Sequence, residues 1–144
     1  MKRRKHGKEN GADHLVPLSR QAVEILRELQ PLTGRGAHVF PGVRHRDQPM
    51  SDNTLNAALD ALGFDGKEHR AHGFRSSART MLHERLNVAP EVIEAQLAHS
   101  VPDALGRAYN RTEFMDQRRQ MMQTWADYLD KLRHGAQVIP FKAA

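Results

Sequence analysis

The sequence predicts a mainly α-helical domain with a remnant of a small antiparallel β-hairpin at its start, and three observations carry that prediction. Apolar residues recur at helical spacing in six separate segments, the periodicity of amphipathic helices. Serine, threonine, proline, glycine and asparagine stand between those segments, where helix caps and stops belong. At 144 residues the chain is long enough for one real core and too short to expect two.

Taken in order, residues 1–14 are polar and basic with Gly7, Asn10 and Gly11 as turn formers, and His14 to Leu18 alternate as a short strand does. This is the second half of the expected hairpin. Ser19 is a candidate N-cap for a helix to about Gln30, with Ala22, Ile25, Leu26 and Leu29 on one face and Pro31 and Gly34 as its stop. The segment AHVFPG is expected as a connector pinned to the core by Val39 and Phe40, and GVRHRDQP as a loop whose Arg44, His45 and Arg46 are either contacts to a polyanion's backbone or merely solvated. Ser51 caps a helix whose Leu55, Ala58, Leu59 and Leu62 face the core, and Gly63 closes it. Its opposite face carries Asn53 and Asn56.

The next helix is predicted from Gly73 to Leu86, with Phe74, Ala78, Met81 and Leu82 inward and Asn87 as its end. Pro90 suits the first turn of a following helix that buries Val92, Ile93 and Leu97. Pro102 and Asp103 start a short helix containing Leu105, Ala108 and Tyr109. Thr112 can cap a long last helix to about Arg133, with Phe114, Arg118, Met122, Trp125, Leu129 and Leu132 in register. The chain therefore divides into a domain over residues 1–134 and a tail over residues 135–144. That tail, with Val138, Ile139 and Phe141 beside Pro140, is too apolar for a free end and is expected to dock as an edge strand or extended segment.

Composition narrows the class of function. Without cysteine there are no disulfides and no thiolate metal sites. No apolar run approaches a membrane span and the N-terminus lacks the apolar core of a signal peptide, so a soluble cytoplasmic protein is expected. The net charge of +5 is unevenly spread: Lys2, Arg3, Arg4, Lys5 and Lys8 lie in the first eight residues with no acid among them. The remainder is neutral overall. Such a cluster suits a polyanion, because each phosphate contact releases condensed counterion, although a solvated terminus has the same composition. His83-Glu84 opens an H-E-x-x-H pattern, but Asn87 replaces the second histidine, so no metal site is expected.

Three strings hold residues suited to phosphodiester chemistry without a metal: HGFRSSART with His72 and Arg75, LAHS with His99, and AYNRT with Tyr109. His72 and Arg75 stand three apart in a predicted first helical turn, where free N–H groups and the helix dipole favour an anion. Singly these residues have plainer readings: His72 as a cap, Arg75 as a surface ion pair, His99 as a helix-end cap, Tyr109 as half-buried core. Their order and spacing are more specific, since Arg75 precedes His99 by 24 residues and His99 precedes Tyr109 by 10. In these strings the chain resembles the tyrosine recombinases, the phage and prophage integrase family, and the likeness runs over nearly its whole length.

The resemblance implies a helical catalytic domain in which Tyr109 attacks a DNA phosphodiester, leaving a 3′-phosphotyrosyl link and a free 5′ hydroxyl for rejoining. Arg75 and His99 would hold the phosphate, His72 would act as general base or phosphate ligand, and Lys2 would be the general acid, with Lys5 and Lys8 as neighbours in the same stretch. It implies no cofactor, double-stranded DNA as partner, and a homo-oligomer on that DNA. Arg3, Arg4, Lys5 and Lys8 become backbone contacts, and Asn53 and Asn56 lie on a helix that in this family faces the major groove. The family's first active-site arginine lies upstream of the hairpin, so the chain is expected to be the C-terminal part of a catalytic domain that cuts poorly alone. Two other classes compete: a DNA-binding module without chemistry, and a structural helical domain that associates through its last helix and tail.

Overall fold

A computed structural model describes residues 14–64, 66–67, 69–99 and 114–135 of the chain. Five helices follow one another there: α1 (Arg20–Thr33), α2 (Thr54–Ala61), α3 (Gly73–Glu84), α4 (Pro90–Gln96) and α5 (Met115–His134). The mainly helical class is as predicted. Among the described residues no helix is long and apolar enough to cross a membrane.

The core lies where α3, α4 and α5 meet. Leu82 of α3, Val92 and Ile93 of α4, and Met121 of α5 are buried together, with Leu86, Val88, Leu97, Phe114, Met122 and Trp125 packed around them. Each fully buried side chain of this kind contributes about 1.5–3 kcal/mol. The ends of α3 and α4 follow from local chemistry. Past α3, Asn87 turns left-handed at φ 52° and Val88 N–H donates to Leu82 O at 3.0 Å. Pro90 then occupies the first turn of α4, where a missing N–H costs nothing.

α1 is capped as predicted: Ser19, itself buried, accepts from Ala22 N–H at 3.3 Å. It does not stop at Pro31 but carries that proline inside and ends at Thr33. A proline in the last turn removes one hydrogen bond only, and Gly34 N–H restores closure by donating to Gln30 O at 2.7 Å. α1 lies against α5 through amides and carboxylates: Gln21 Nε2 donates to Asp127 Oδ1 and Asp130 Oδ2, both at 2.8 Å, and Gln123 Nε2 donates to Gln21 Oε1 at 3.0 Å. The Gln21 bond, and next a bond from Gln123 Nε2 to Asp127 Oδ1 at 2.9 Å, hold Asp127 below the usual carboxylate range.

Several predicted core faces are open instead. α2 packs against none of the other four helices, so Leu55 and Leu62 remain exposed rather than inward. Phe74 is also exposed and meets the ring of His69 edge-on at 4.3 Å. Val39 and Phe40 do not pin the connector to the core, and Leu129 and Leu132 at the far end of α5 are uncovered. An apolar stripe records a preference for cover, whereas the cover must come from another element.

The connector is more ordered than a plain loop. Pro41 and Pro49 form an antiparallel bridge, with Gly42 N–H to Gln48 O at 2.8 Å and Met50 N–H to Phe40 O at 2.9 Å. The expected N-terminal hairpin lies mostly outside the described residues, and its described part, His14 to Leu18, is not a strand. Backbone there bonds to side chains in place of a ladder, Leu15 O accepting from Arg118. The predicted short helix with Tyr109, the Thr112 cap and the tail beyond Gly135 lie outside the described residues; α5 itself begins after a left-handed Phe114 with no side-chain cap.

Candidate active site

The end of α4 is built to bring its following residue back over the helix. Ala98 takes φ 54°, Ala98 N–H donates to Ala95 O at 3.3 Å, and His99 N–H donates to Glu94 O at 3.1 Å. These two bonds with a left-handed residue between helix and exit make a Schellman closure. His99 is thereby set above the start of α3, and Arg75 reaches it: Nη2 of Arg75 lies 3.1 Å from Nε2 of His99 and donates to Leu97 O. Two sequence-predicted residues, 24 positions apart, thus form one group.

Arg75 is part-buried, in the first turn of α3, and among the described residues its Nε and Nη1 have no hydrogen-bond partner. A planar fork with donors to spare suits a phosphate oxygen. His72 stands at the N-cap position of the same helix, exposed, without a side-chain capping bond. Its backbone carbonyl accepts from Arg75 N–H at 3.1 Å, and its ring has no hydrogen-bond partner among the described residues. The structure therefore joins Arg75 to His99 directly, and His72 to both only through its place at the head of α3.

Glu94 completes the group and was not anticipated from the sequence. Its Oε2 accepts from His99 Nδ1 and its Oε1 from Arg79 Nε at 2.6 Å. Hydrogen bonding from His99 first, then from Arg79, draws its carboxyl below the usual range against the opposing effect of burial. The legible clue was spacing: closing a helix at Leu97 returns residue 99 over residue 94. Arg79 follows Arg75 by four residues and so shares its face of α3.

Two struts support this arrangement. Asn56, read from sequence as a candidate base contact, accepts at its Oδ1 from Ala71 N–H at 3.0 Å, just ahead of His72. Asn53 is exposed at the N-cap of α2. The second strut is Arg118, 2 % exposed, whose Nε donates to Gln96 Oε1 at 2.8 Å and Nη2 to Leu15 O at 2.5 Å. His14 Nε2 lies 3.2 Å from Gln96 O. Burial lowers the Arg118 pKa, yet a guanidinium stays charged in proteins, so the carbonyl and amide oxygens around it are what make its burial tolerable. Lys2, Arg3, Arg4, Lys5, Lys8 and Tyr109 lie outside the described residues.

The profile of the phage integrase family matches residues 2–115. An integrase of Enterobacteria phage P4 is 46% identical over 124 residues, which is 85% of this chain and 28% of that protein. Prophage integrase IntA of Escherichia coli (strain K12) is 44% identical over 127 residues, 88% of this chain and 30% of the relative. Prophage integrase IntZ of the same strain is 42% identical over 122 residues, with 85% and 30% covered. The chain thus spans less than a third of the length of these curated relatives. No solved structure matches it.

Proposed function

The chain belongs to the phage integrase family, and on that footing we propose that it carries the nucleophile and most of the phosphate-binding groups of a site-specific DNA recombinase acting on double-stranded DNA. The observation that carries this reading is the pairing of Arg75 with His99 at 3.1 Å, at the head of α3 and the exit of α4. A guanidinium with unused donors beside an imidazole offers an anion both charge and a proton donor, which is what a transferring phosphoryl group requires.

In this reaction the Tyr109 hydroxyl oxygen attacks phosphorus, its proton passing to His72. The bond to the 5′ oxygen breaks, and Lys2 supplies the proton that leaves a free 5′ hydroxyl. The products are a 3′-phosphotyrosyl link and a hydroxyl able to reverse the step on another strand, so no bond energy is lost to water. Arg75 and His99 hold the non-bridging oxygens. Arg3, Arg4, Lys5 and Lys8 contact the DNA backbone, Asn53 and the amide nitrogen of Asn56 face the groove, and the recombinase works as a homo-oligomer on its DNA. This chain contributes a part of the catalytic domain.

The test is covalent trapping on a nicked suicide duplex, read on a denaturing gel. A protein of the relatives' length carrying this chain is expected to form the adduct, and Tyr109→Phe to abolish it. Arg75→Ala in that protein is expected to lower the trapping rate by about 10²- to 10³-fold, the usual effect of losing one preorganised donor. The 144-residue chain alone is expected to trap at least about a thousandfold more slowly, because positioning and further donors are lost together. Adduct formation that survives Tyr109→Phe would reduce this chain to a DNA-binding module.

A further inference from the structure

We propose that Glu94 is the positioning residue of this site: it fixes the tautomer and the aim of His99, so that Nδ1–H is held by the protein and Nε2 is presented beside Arg75. The inference rests on reading Arg75 and His99 as the phosphate-binding pair, and it adds a residue and a role to that reading.

Hydrogen-bond bookkeeping carries the assignment. A guanidinium has five N–H donors and no acceptor, so in the 3.1 Å contact between Arg75 Nη2 and His99 Nε2 the imidazole nitrogen must supply the lone pair. In a neutral imidazole the proton then resides on Nδ1, and Nδ1 faces Oε2 of Glu94, a carboxylate oxygen that can only accept. Both contacts are satisfied by one tautomer and by no other.

The carboxylate is itself immobilised. Arg79 Nε donates to Oε1 at 2.6 Å, so one oxygen is fixed by α3 while the other holds His99. The Glu94 side chain is 20% exposed against 50% for His99 and 56% for Arg79, so the carboxylate lies beneath the two groups it orients. Backbone geometry adds a second tie, since His99 N–H already donates to Glu94 O at 3.1 Å. His99 is thus bound twice to one residue, through main chain and through ring, and its ring can point in one direction only.

The consequence for the reaction is a defined change of partner. Without DNA, Nε2 accepts from Arg75. When a phosphate oxygen draws Arg75 toward itself, Nε2 is left facing that oxygen and, once protonated, donates to it while Glu94 balances the imidazolium through Nδ1–H. The same carboxylate serves both states without moving, which is how a buttressed histidine avoids reorganisation during charge transfer.

The experiment has two arms. Long-range ¹H–¹⁵N correlation spectra of the ¹⁵N-labelled 144-residue chain, at about pH 8.5 where ordinary imidazoles are neutral, are expected to show His99 as the Nδ1–H tautomer. Glu94→Ala is expected to shift it toward the Nε2–H form that free histidine favours, while Glu94→Gln, whose amide oxygen still accepts, retains Nδ1–H. In the suicide-substrate assay with a protein of the relatives' length, Glu94→Ala is expected to slow trapping by about 10- to 100-fold, as losses of a histidine-orienting partner do elsewhere, with Glu94→Gln in between. An Nε2–H tautomer in the unaltered chain would overturn the inference whatever the variants do, and so would a Glu94→Ala protein that traps at the full rate. Failure of the strand-transfer reading appears separately, in the Tyr109→Phe arm.

Discussion

At Ala98 a single side chain works against the geometry it occupies. The residue sits at φ 54°, where a Cβ crowds the following carbonyl at a cost of about 1–2 kcal/mol. Replacing it with glycine removes that strain at the position of a Schellman closure where glycine is the usual occupant, although glycine also loosens the unfolded chain. Ala98→Gly is therefore expected to raise stability by about 0.5–1 kcal/mol, measured as a higher urea midpoint with an unchanged slope. A lower midpoint would show that the αL residue is held by contacts its methyl makes. Glu94 makes a second residue-level prediction, in pH. Its folded pKa is depressed by His99 and Arg79, so its contribution is fully present above the ordinary glutamate value of about 4.3 and is lost as pH falls through the lower folded value. Stability should thus fall on acidification below about pH 4.3. The Glu94→Gln chain should show a shallower fall over the same interval, and equal slopes in the two proteins would contradict the assignment.

Among elements, the exit of α4 depends on how α5 supports it. Arg118 in the first turns of α5 bonds to Gln96 at the end of α4 and to Leu15 ahead of α1, while 2 % exposed. Truncation leaves an amide oxygen and a backbone carbonyl without their donor, and opens a void where the side chain was. Arg118→Ala is expected to cost about 1–3 kcal/mol in chemical denaturation, the range for leaving a buried acceptor without its donor. Amide exchange should quicken first at residues 14–16 and 96–99, before the α1–α5 contact is affected. A loss under about 1 kcal/mol would mean that water replaces the guanidinium. α1 and α5 meet through Gln21, Gln123, Asp127 and Asp130, so their contact gives direction and register more than burial.

For the whole molecule, the proposed function makes the charge distribution the expected governor of the first encounter with DNA. Five of the 22 basic residues fall in the first eight positions and the rest of the chain is balanced. Binding to an arbitrary duplex is expected at a dissociation constant on the order of 10⁻⁴ to 10⁻⁶ M at physiological salt, falling steeply as salt rises. Fluorescence anisotropy over a salt series should show that decline, and deletion of residues 1–8 should flatten the slope by roughly 0.9 for each phosphate no longer neutralised. A salt-insensitive affinity would remove the basic cluster from the interface. Arg79, whose Nε is held by Glu94 at 2.6 Å, should contribute little to this non-specific binding.

What the sequence determined by itself was whatever depends on a few neighbouring residues. Ser19 capped α1, Pro90 opened α4, and the strings around His72, Arg75, His99 and Tyr109 pointed to the family. Caps, stops and periodicity act within about one helical turn, so they can be read in one dimension. Tertiary structure decided which apolar stripes are covered: the Leu82, Ile93 and Met121 faces found partners, while those of Leu55, Leu62 and Phe74 did not. It also decided that Asn56 braces Ala71 and that Arg118, in step with the apolar stripe of α5, is an interior polar hub. Above all it gave Glu94, already turned toward His99 by the closure of its own helix, Arg79 as second partner, because that contact is set by the crossing of α3 with α4, and a distance between two helices has no trace in the spacing along either one.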